Sequence, residues 1–185
     1  MTENDPFLKL FGWLTPLLQR GFSGSFAPGT QEYEILDEFR QGWGKEDTTS
    51  LLKRLSEKYG LMAAATVEMF VGMCIKEDWA SLGAKEAQLG TEIEDFIRIL
   101  WAPLLSEGFS FTQKKANDRV ELCVTKCPVY ELAERTKMHA WLYHLACATD
   151  FYSAGAFSPK IAFTRTKTLM EGHGYCNHTY SYKAG

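Results

Sequence analysis

Over its first hundred residues the chain places apolar side chains at the three- and four-residue spacing of amphipathic helices. Phe7, Leu10, Phe11, Leu14, Leu17 and Leu18 predict one such helix covering part of the core. Residues 21–30, rich in Gly, Ser and Pro, read as a loop. Tyr33, Leu36, Phe39 and Arg40 open a second helical segment, which Gly42 and Gly44 interrupt. Asp47 or Thr48 then caps a helix through Tyr59, with Leu51, Leu52 and Leu55 on one face and Gly60 at its end. From Leu61 to Trp79, Met62, Ala65, Met69, Gly72 and Met73 share a face flanked by Val67, Val71 and Cys74, which predicts a helix buried on most sides. A further helix is expected from about Ser81 to Trp101, striped by Leu89, Ile93, Phe96, Ile97 and Leu100 and closed by Pro103 and Gly108.

The period then changes. Phe109 to Gln113 alternates, Lys114 to Arg119 is a polar turn, and Val120, Leu122 and Val124 alternate with Glu121, Cys123 and Thr125: a hairpin. Cys127-Pro128 starts a helix to about Arg135, and a second runs from about Lys137 to Tyr152 until Gly155 and Pro159 break it. Ile161 to Leu169 reads as a strand, Glu171-Gly172-His173-Gly174 as a turn, and Tyr175 to Tyr182 as the returning strand. The order is helices, then β-β-α-α-β-β. The expectation is one α+β domain over residues 1–185, with a mainly helical part (1–108) and a part (109–185) whose antiparallel sheet packs on helices.

Composition narrows the function. Hydrophobic content of 45% and aromatic content of 14% describe a globular chain. The formal net charge of −3, with no long basic run, argues against nucleic acid as a partner. The acidic start and the brevity of the Phe7–Leu18 stretch argue against a signal peptide and a membrane span. An odd number of cysteines, five in all, fits reduced thiols and a cytoplasmic location.

The candidate chemistry gathers in the last third, at Lys126-Cys127-Pro128, Cys147-x-x-Asp150 and Gly172-His173-Gly174-Tyr175-Cys176-Asn177-His178. Pro at the first helical position puts Cys127 at the helix N-terminus, where free N–H groups and Lys126 favour a thiolate. The bland alternative is a small residue filling a corner. On a helix Cys147 shares a face with Tyr143, His144, Asp150 and Phe151, and an Asp there can orient a neighbour or carry protons; helix packing is the alternative. In a strand Cys176, His178, Tyr180 and Tyr182 face one side, so His178 is near enough to assist a thiol, and the turn residue His173 is able to approach. Arg165, in a Thr- and Lys-rich strand, either pairs a substrate carboxylate or lies on an exposed edge. Glu68 reads as a surface carboxylate and Cys74 as core. Zinc stays open as an alternative use of the cysteines, although Cys123-x-x-x-Cys127 lacks close partners.

Taken together, Cys127-Pro128, Cys147-x-x-Asp150, Pro159 and Arg165-Thr166-Lys167-Thr168-Leu169-x-x-Gly172-x-x-x-Cys176 resemble the L-2-amino-thiazoline-4-carboxylic acid hydrolase-like family over roughly residues 120–182. The layout is also similar to 4-vinyl reductase and vesicle-tethering-subunit domains, some of which hold zinc. The resemblance implies a cysteine-dependent hydrolase that opens a small cyclic amidine bearing a carboxylate. It implies Cys127 or Cys176 as nucleophile, Asp150 and His178 as proton-transfer or orienting groups, and Arg165, Cys147, Tyr143 and His173 around the substrate, with no required cofactor. The alternatives are a small-molecule or zinc-binding sensor without catalysis and a homodimerising scaffold.

Overall fold

The structure, a computed structural model, describes residues 5–21 and 26–183; part of the expected 21–30 loop, residues 22–25, lies outside them. Its elements follow from local signals. Asp5 caps α1 (Pro6–Phe11) by accepting from the Phe7 amide at 2.8 Å, with Pro6 in the first turn. Its other oxygen accepts from Thr48 Oγ1 at 2.7 Å, which ties α1 to the start of the helix that begins at Thr48. The single helix expected over Phe7–Leu18 is two, because the chain breaks at Gly12 and Trp13 before α2 (Leu14–Leu18). Thr30 caps α3 (Gln31–Gly42) and Asp47 caps α4 (Thr48–Tyr59), which Gly60 ends at φ 62°.

α5 (Met62–Glu86) is longer than expected, and α6 (Glu92–Leu104) starts later. The helix predicted across Ser81–Trp101 is therefore divided. Gly90 turns the chain at φ 88°, and the Asp95 carboxylate accepts from the Gln88 amide and the Thr91 hydroxyl, each at 3.1 Å. Leu89 consequently sits exposed in the turn and not in a buried stripe. The methionine face of α5 is also not buried: Met62, Met69 and Met73 are exposed, while Ala63, Val67, Phe70, Val71 and Cys74 carry the packing.

β1 (Ser110–Lys115) and β2 (Arg119–Lys126) form the expected hairpin. α7 (Pro128–Thr136) follows, and Lys137 in the left-handed conformation turns the chain into α8 (His139–Leu142). The helix expected through Tyr152 is not regular. Tyr143–Cys147 forms a π-helical turn before α9 (Asp150–Phe157). β3 is only Ile161–Thr164, shorter than the strand predicted to Leu169, and a 3₁₀ turn over Leu169–Glu171 leads to β4 (Cys176–Tyr182). The four strands form one antiparallel sheet in the order β1-β2-β4-β3. The fold is α+β, with this sheet packed on helices.

Two apolar clusters build the interior. One joins α1–α5 to α7, α8 and the π turn; the other joins α6, α9 and the inner sheet face, where Val120, Leu122 and Val124 pair with Tyr180, His178 and Cys176. Phe109 and Cys127 touch both. No single helix among the described residues is long and apolar enough to cross a membrane.

α5 and α9 are pressed together through glycine. A Cβ on Gly83 would stand 1.8 Å from the Phe157 carbonyl oxygen, and one on Gly72 would enter the Tyr152 ring at 2.6 Å. Gly83→Ala is therefore expected to cost about 3 kcal/mol, lowering the melting temperature on the order of 10 °C. Gly155→Ala, whose nearest contact is 3.8 Å away, is expected to be neutral or stabilising in the same thermal melt.

Candidate functional site

A cavity of about 360 Å³ opens along the seam between the two apolar clusters. Cys127, Cys147, Asp150, Arg165, Cys176 and His178 all line it. The separate segments of the last third thus meet around one space.

The π turn organises the polar end. With five-residue spacing, the Ala148 amide donates to Tyr143 O at 2.8 Å. The Phe151 amide turns to Ala148 O, and the Cys147 carbonyl is left to accept from Arg165 Nη1 at 2.9 Å. The same nitrogen donates to Asp150 Oδ2 at 2.6 Å. Arg165 stands just beyond β3, its side chain 2% exposed, with its guanidinium carbon over the rings of Phe151 (5.2 Å) and Tyr143 (5.7 Å). Burial works against its charge, yet Asp150, helped by the Tyr143 hydroxyl, more than offsets this and the pKa rises. The exposed-edge alternative for Arg165 is thereby set aside. Tyr143 belongs to the site as a wall behind the guanidinium and does not itself line the cavity.

His178 projects from the inner face of β4. Its ring lies edge-on to Trp101 at 4.8 Å and stacks on Phe163 at 5.7 Å. Nε2 is 3.2 Å from Asp150 Oδ2, so the carboxylate, an acceptor when ionised, selects the tautomer with the proton on Nε2. Asp150 Oδ2 therefore joins Arg165 and His178. Two buried nitrogens here have no partner, Arg165 Nη2 and His178 Nδ1. Buried polar atoms are nearly always satisfied, and both orphans belong to residues that line the cavity, although neither atom itself has accessible surface in it.

Cys127 occupies the N-cap of α7, as expected. Its expected thiolate character is corrected. Burial pushes the thiol up to about 11, although the Tyr130 and Val129 amides at the start of α7 pull it back. Burial also raises Cys147, well above the ordinary thiol range, and Cys176. The short-range pull of a helix terminus loses to removal from water. Cys176 Sγ is further engaged, accepting from the Leu169 amide at 3.3 Å.

Other expected residues lie elsewhere. His173 is exposed on the turn after Gly172 and does not line the cavity, its amide donating to Thr168 O at 3.1 Å. His144 pairs across to Glu68 on α5 at 2.5 Å, and Tyr152 donates to the same carboxylate at 3.3 Å, so Glu68 is a half-buried anchor of the π turn and not a free surface acid. Cys74 is core. Among the described residues no three of His, Cys, Asp and Glu are grouped to hold a metal ion.

Several contributors gave little signal in the sequence. Asn177 Oδ1 accepts from the Thr166 and Lys167 amides at 3.0 and 2.6 Å, pinning the extended segment after Arg165 against β4. Trp101 holds His178 from α6 while its Nε1 donates to Tyr180 Oη at 2.9 Å. The α1–α2 corner supplies Leu10, Phe11 and Trp13 to the cavity wall.

The raised thiol has a measurable consequence. Iodoacetamide alkylation of Cys127 in the folded protein should keep rising about tenfold per pH unit toward a plateau near about 11, whereas the denatured chain should level off near its ordinary value of about 8.5. The sign for stability follows. Folding favours the neutral thiol, so this contribution is complete below about pH 8.5 and is lost as pH rises through about 11. Peptide mapping by mass across pH checks the first; urea melts across the same range check the second.

A family model described as L-2-amino-thiazoline-4-carboxylic acid hydrolase matches residues 33–180. No match was found among curated proteins or solved structures. The matched span contains every residue named above at the polar end of the cavity. On that match the chain belongs to the L-2-amino-thiazoline-4-carboxylic acid hydrolase family, and membership implies a hydrolase acting on a small cyclic substrate.

Proposed function

We propose that the protein opens a carboxylate-bearing cyclic amidine at its C–N bond by nucleophilic attack of Cys127. The observation that carries this reading is the pair of unpartnered buried nitrogens, Arg165 Nη2 and His178 Nδ1, on residues that line the same cavity as a thiol at a helix N-terminus. The substrate carboxylate accepts from Arg165 Nη2. That leaves the electrophilic ring carbon for Cys127 and the unprotonated Nδ1 for proton transfer.

A resting thiol with a pKa of about 11 needs a base. His178 Nδ1 takes the thiol proton as sulfur attacks the amidine carbon, and the imidazolium that forms is held against Asp150. As the adduct forms, His178 returns that proton to the ring nitrogen; the exocyclic amino group then re-forms a C=N bond and gives up one proton to the ring nitrogen as the ring C–N bond breaks. Water then adds to the same carbon, gives a proton to His178, and expels the Cys127 thiolate, which is reprotonated. The net change is addition of one water across the ring bond. The free N–H groups at the start of α7 favour the thiolate as it leaves. In this reading Cys176 and Cys147 line the cavity without acting as nucleophiles, because only Cys127 stands at a helix N-terminus and Cys147 is the more strongly raised thiol.

Five free thiols suit a reducing compartment, and the reading includes a cytoplasmic protein. It also includes a homodimer, formed through the exposed Met62, Met69 and Met73 face of α5; native mass measurement checks for twice 21.0 kDa.

Cys127→Ala is expected to lower turnover on the order of 10³-fold or more while leaving the melting temperature close to wild type. His178→Gln should reduce kcat by roughly 10²- to 10⁴-fold. Arg165→Lys should act mainly on KM, raising it about 10- to 100-fold through the lost carboxylate contact. Steady-state kinetics on 2-amino-thiazoline-4-carboxylate separates these cases, and full activity of Cys127→Ala contradicts the proposal.

A further inference from the structure

The polar groups fill only part of the cavity. They come from the N-cap of α7, the π turn and start of α9, the end of β3, and β4. The remainder of the wall comes from the α1–α2 corner, α5, α6 and the segment leading to β1, and presents Trp13, Ile75, Trp79, Leu100, Leu104 and Phe109. Benzene occupies a cavity of about 150 Å³, and a thiazoline with one carboxylate is only slightly larger. The present cavity holds about 360 Å³. The parent ring, anchored between Arg165 and Cys127, would leave an aromatic-lined space of comparable size in contact with water. Apolar walls of that extent favour an apolar occupant over water.

We propose that the substrate of this enzyme is a carboxylate-bearing ring that also carries an aromatic or branched apolar arm, with the arm seated among α1–α2, α5 and α6. The proposal rests on the hydrolase reading for the ring and carboxylate, and adds the arm. Trp101 marks the junction, because it touches His178 on one side and belongs to the apolar wall of α6. Glu107, exposed on the rim, is the acidic exception in that half and disfavours an arm ending in an anion.

The test measures binding, so that it reads the cavity independently of turnover. In Cys127→Ala, calorimetry compares 2-amino-thiazoline-4-carboxylate with its 5-phenyl and 2-phenylamino analogues. At least one phenyl compound should bind about thirtyfold tighter, the gain expected from burying one phenyl-sized apolar group. Leu104→Trp and Ile75→Phe, which fill the apolar half from two helices, should each bring that ratio toward one; either folded variant suffices. Phenyl compounds that bind no tighter than the parent overturn the proposal. So does a thirtyfold ratio that both filled variants leave unchanged. If the ratio behaves as expected but wild-type enzyme hydrolyses none of the compounds, the arm stands and the hydrolytic reading falls. If the parent is hydrolysed and the ratio is one, the reverse holds.

Discussion

The carboxylate of Asp150 is the anion on which the polar half of the site depends. Arg165 is buried with its charge, and a buried cation without a partner is costly. Asp150 Oδ2 answers that charge at 2.6 Å and also fixes the His178 ring at 3.2 Å. The remaining help comes from the Cys147 carbonyl, which a regular helix would have committed to the amide four residues on. The tight turn that follows the π turn, where the Phe151 amide donates to Ala148 O, releases it. On its outer side the π turn is tied to α5 through His144 and Glu68. An irregularity of backbone therefore makes the charged cluster affordable and sets where the guanidinium and imidazole point.

The second constraint is the seam. Neither apolar cluster closes over the other along the line marked by Phe109 and Cys127, and the cavity is what remains between them. This placement explains why Cys127 is a protonated thiol at rest in spite of its helix terminus. Withdrawal from water outweighs a few oriented amides. It also explains how residues from α1 to β4 come to share one space. A sheet of order β1-β2-β4-β3 sets Cys176 and His178 on a central strand, and β3 at the edge delivers Arg165 as it ends.

Much of the architecture was legible because it is written in period. Alternation at Val120, Leu122 and Val124 gave the hairpin, and alternation at Cys176, His178 and Tyr180 gave the inner face of β4. Pro128 gave the N-cap position of Cys127. What escaped was set by tertiary choice. The Gly90–Thr91 turn lay inside a run whose apolar spacing continued through Leu89, so the end of α5 and most of α6 read as one helix. The Met62, Met69 and Met73 face looked like core because periodicity identifies an apolar face without saying what covers it. The π turn has no sequence signature of its own; only the contact with Arg165 shows why it is there. The burial of Arg165 and the direction of the thiol pKa shifts likewise depend on three-dimensional surroundings that spacing does not encode.

The proposed mechanism requires Cys127 to form a bond to the substrate carbon within a cavity held by Asp150. Rapid acid quenching of enzyme with 2-amino-thiazoline-4-carboxylate, or with a bulkier analogue that it turns over, followed by peptide mass mapping, tests this directly. The predicted result is a transient adduct on the peptide containing Cys127, absent when that sulfur is replaced. Product formed at full rate with no adduct, or with the adduct on Cys147 or Cys176, would contradict it.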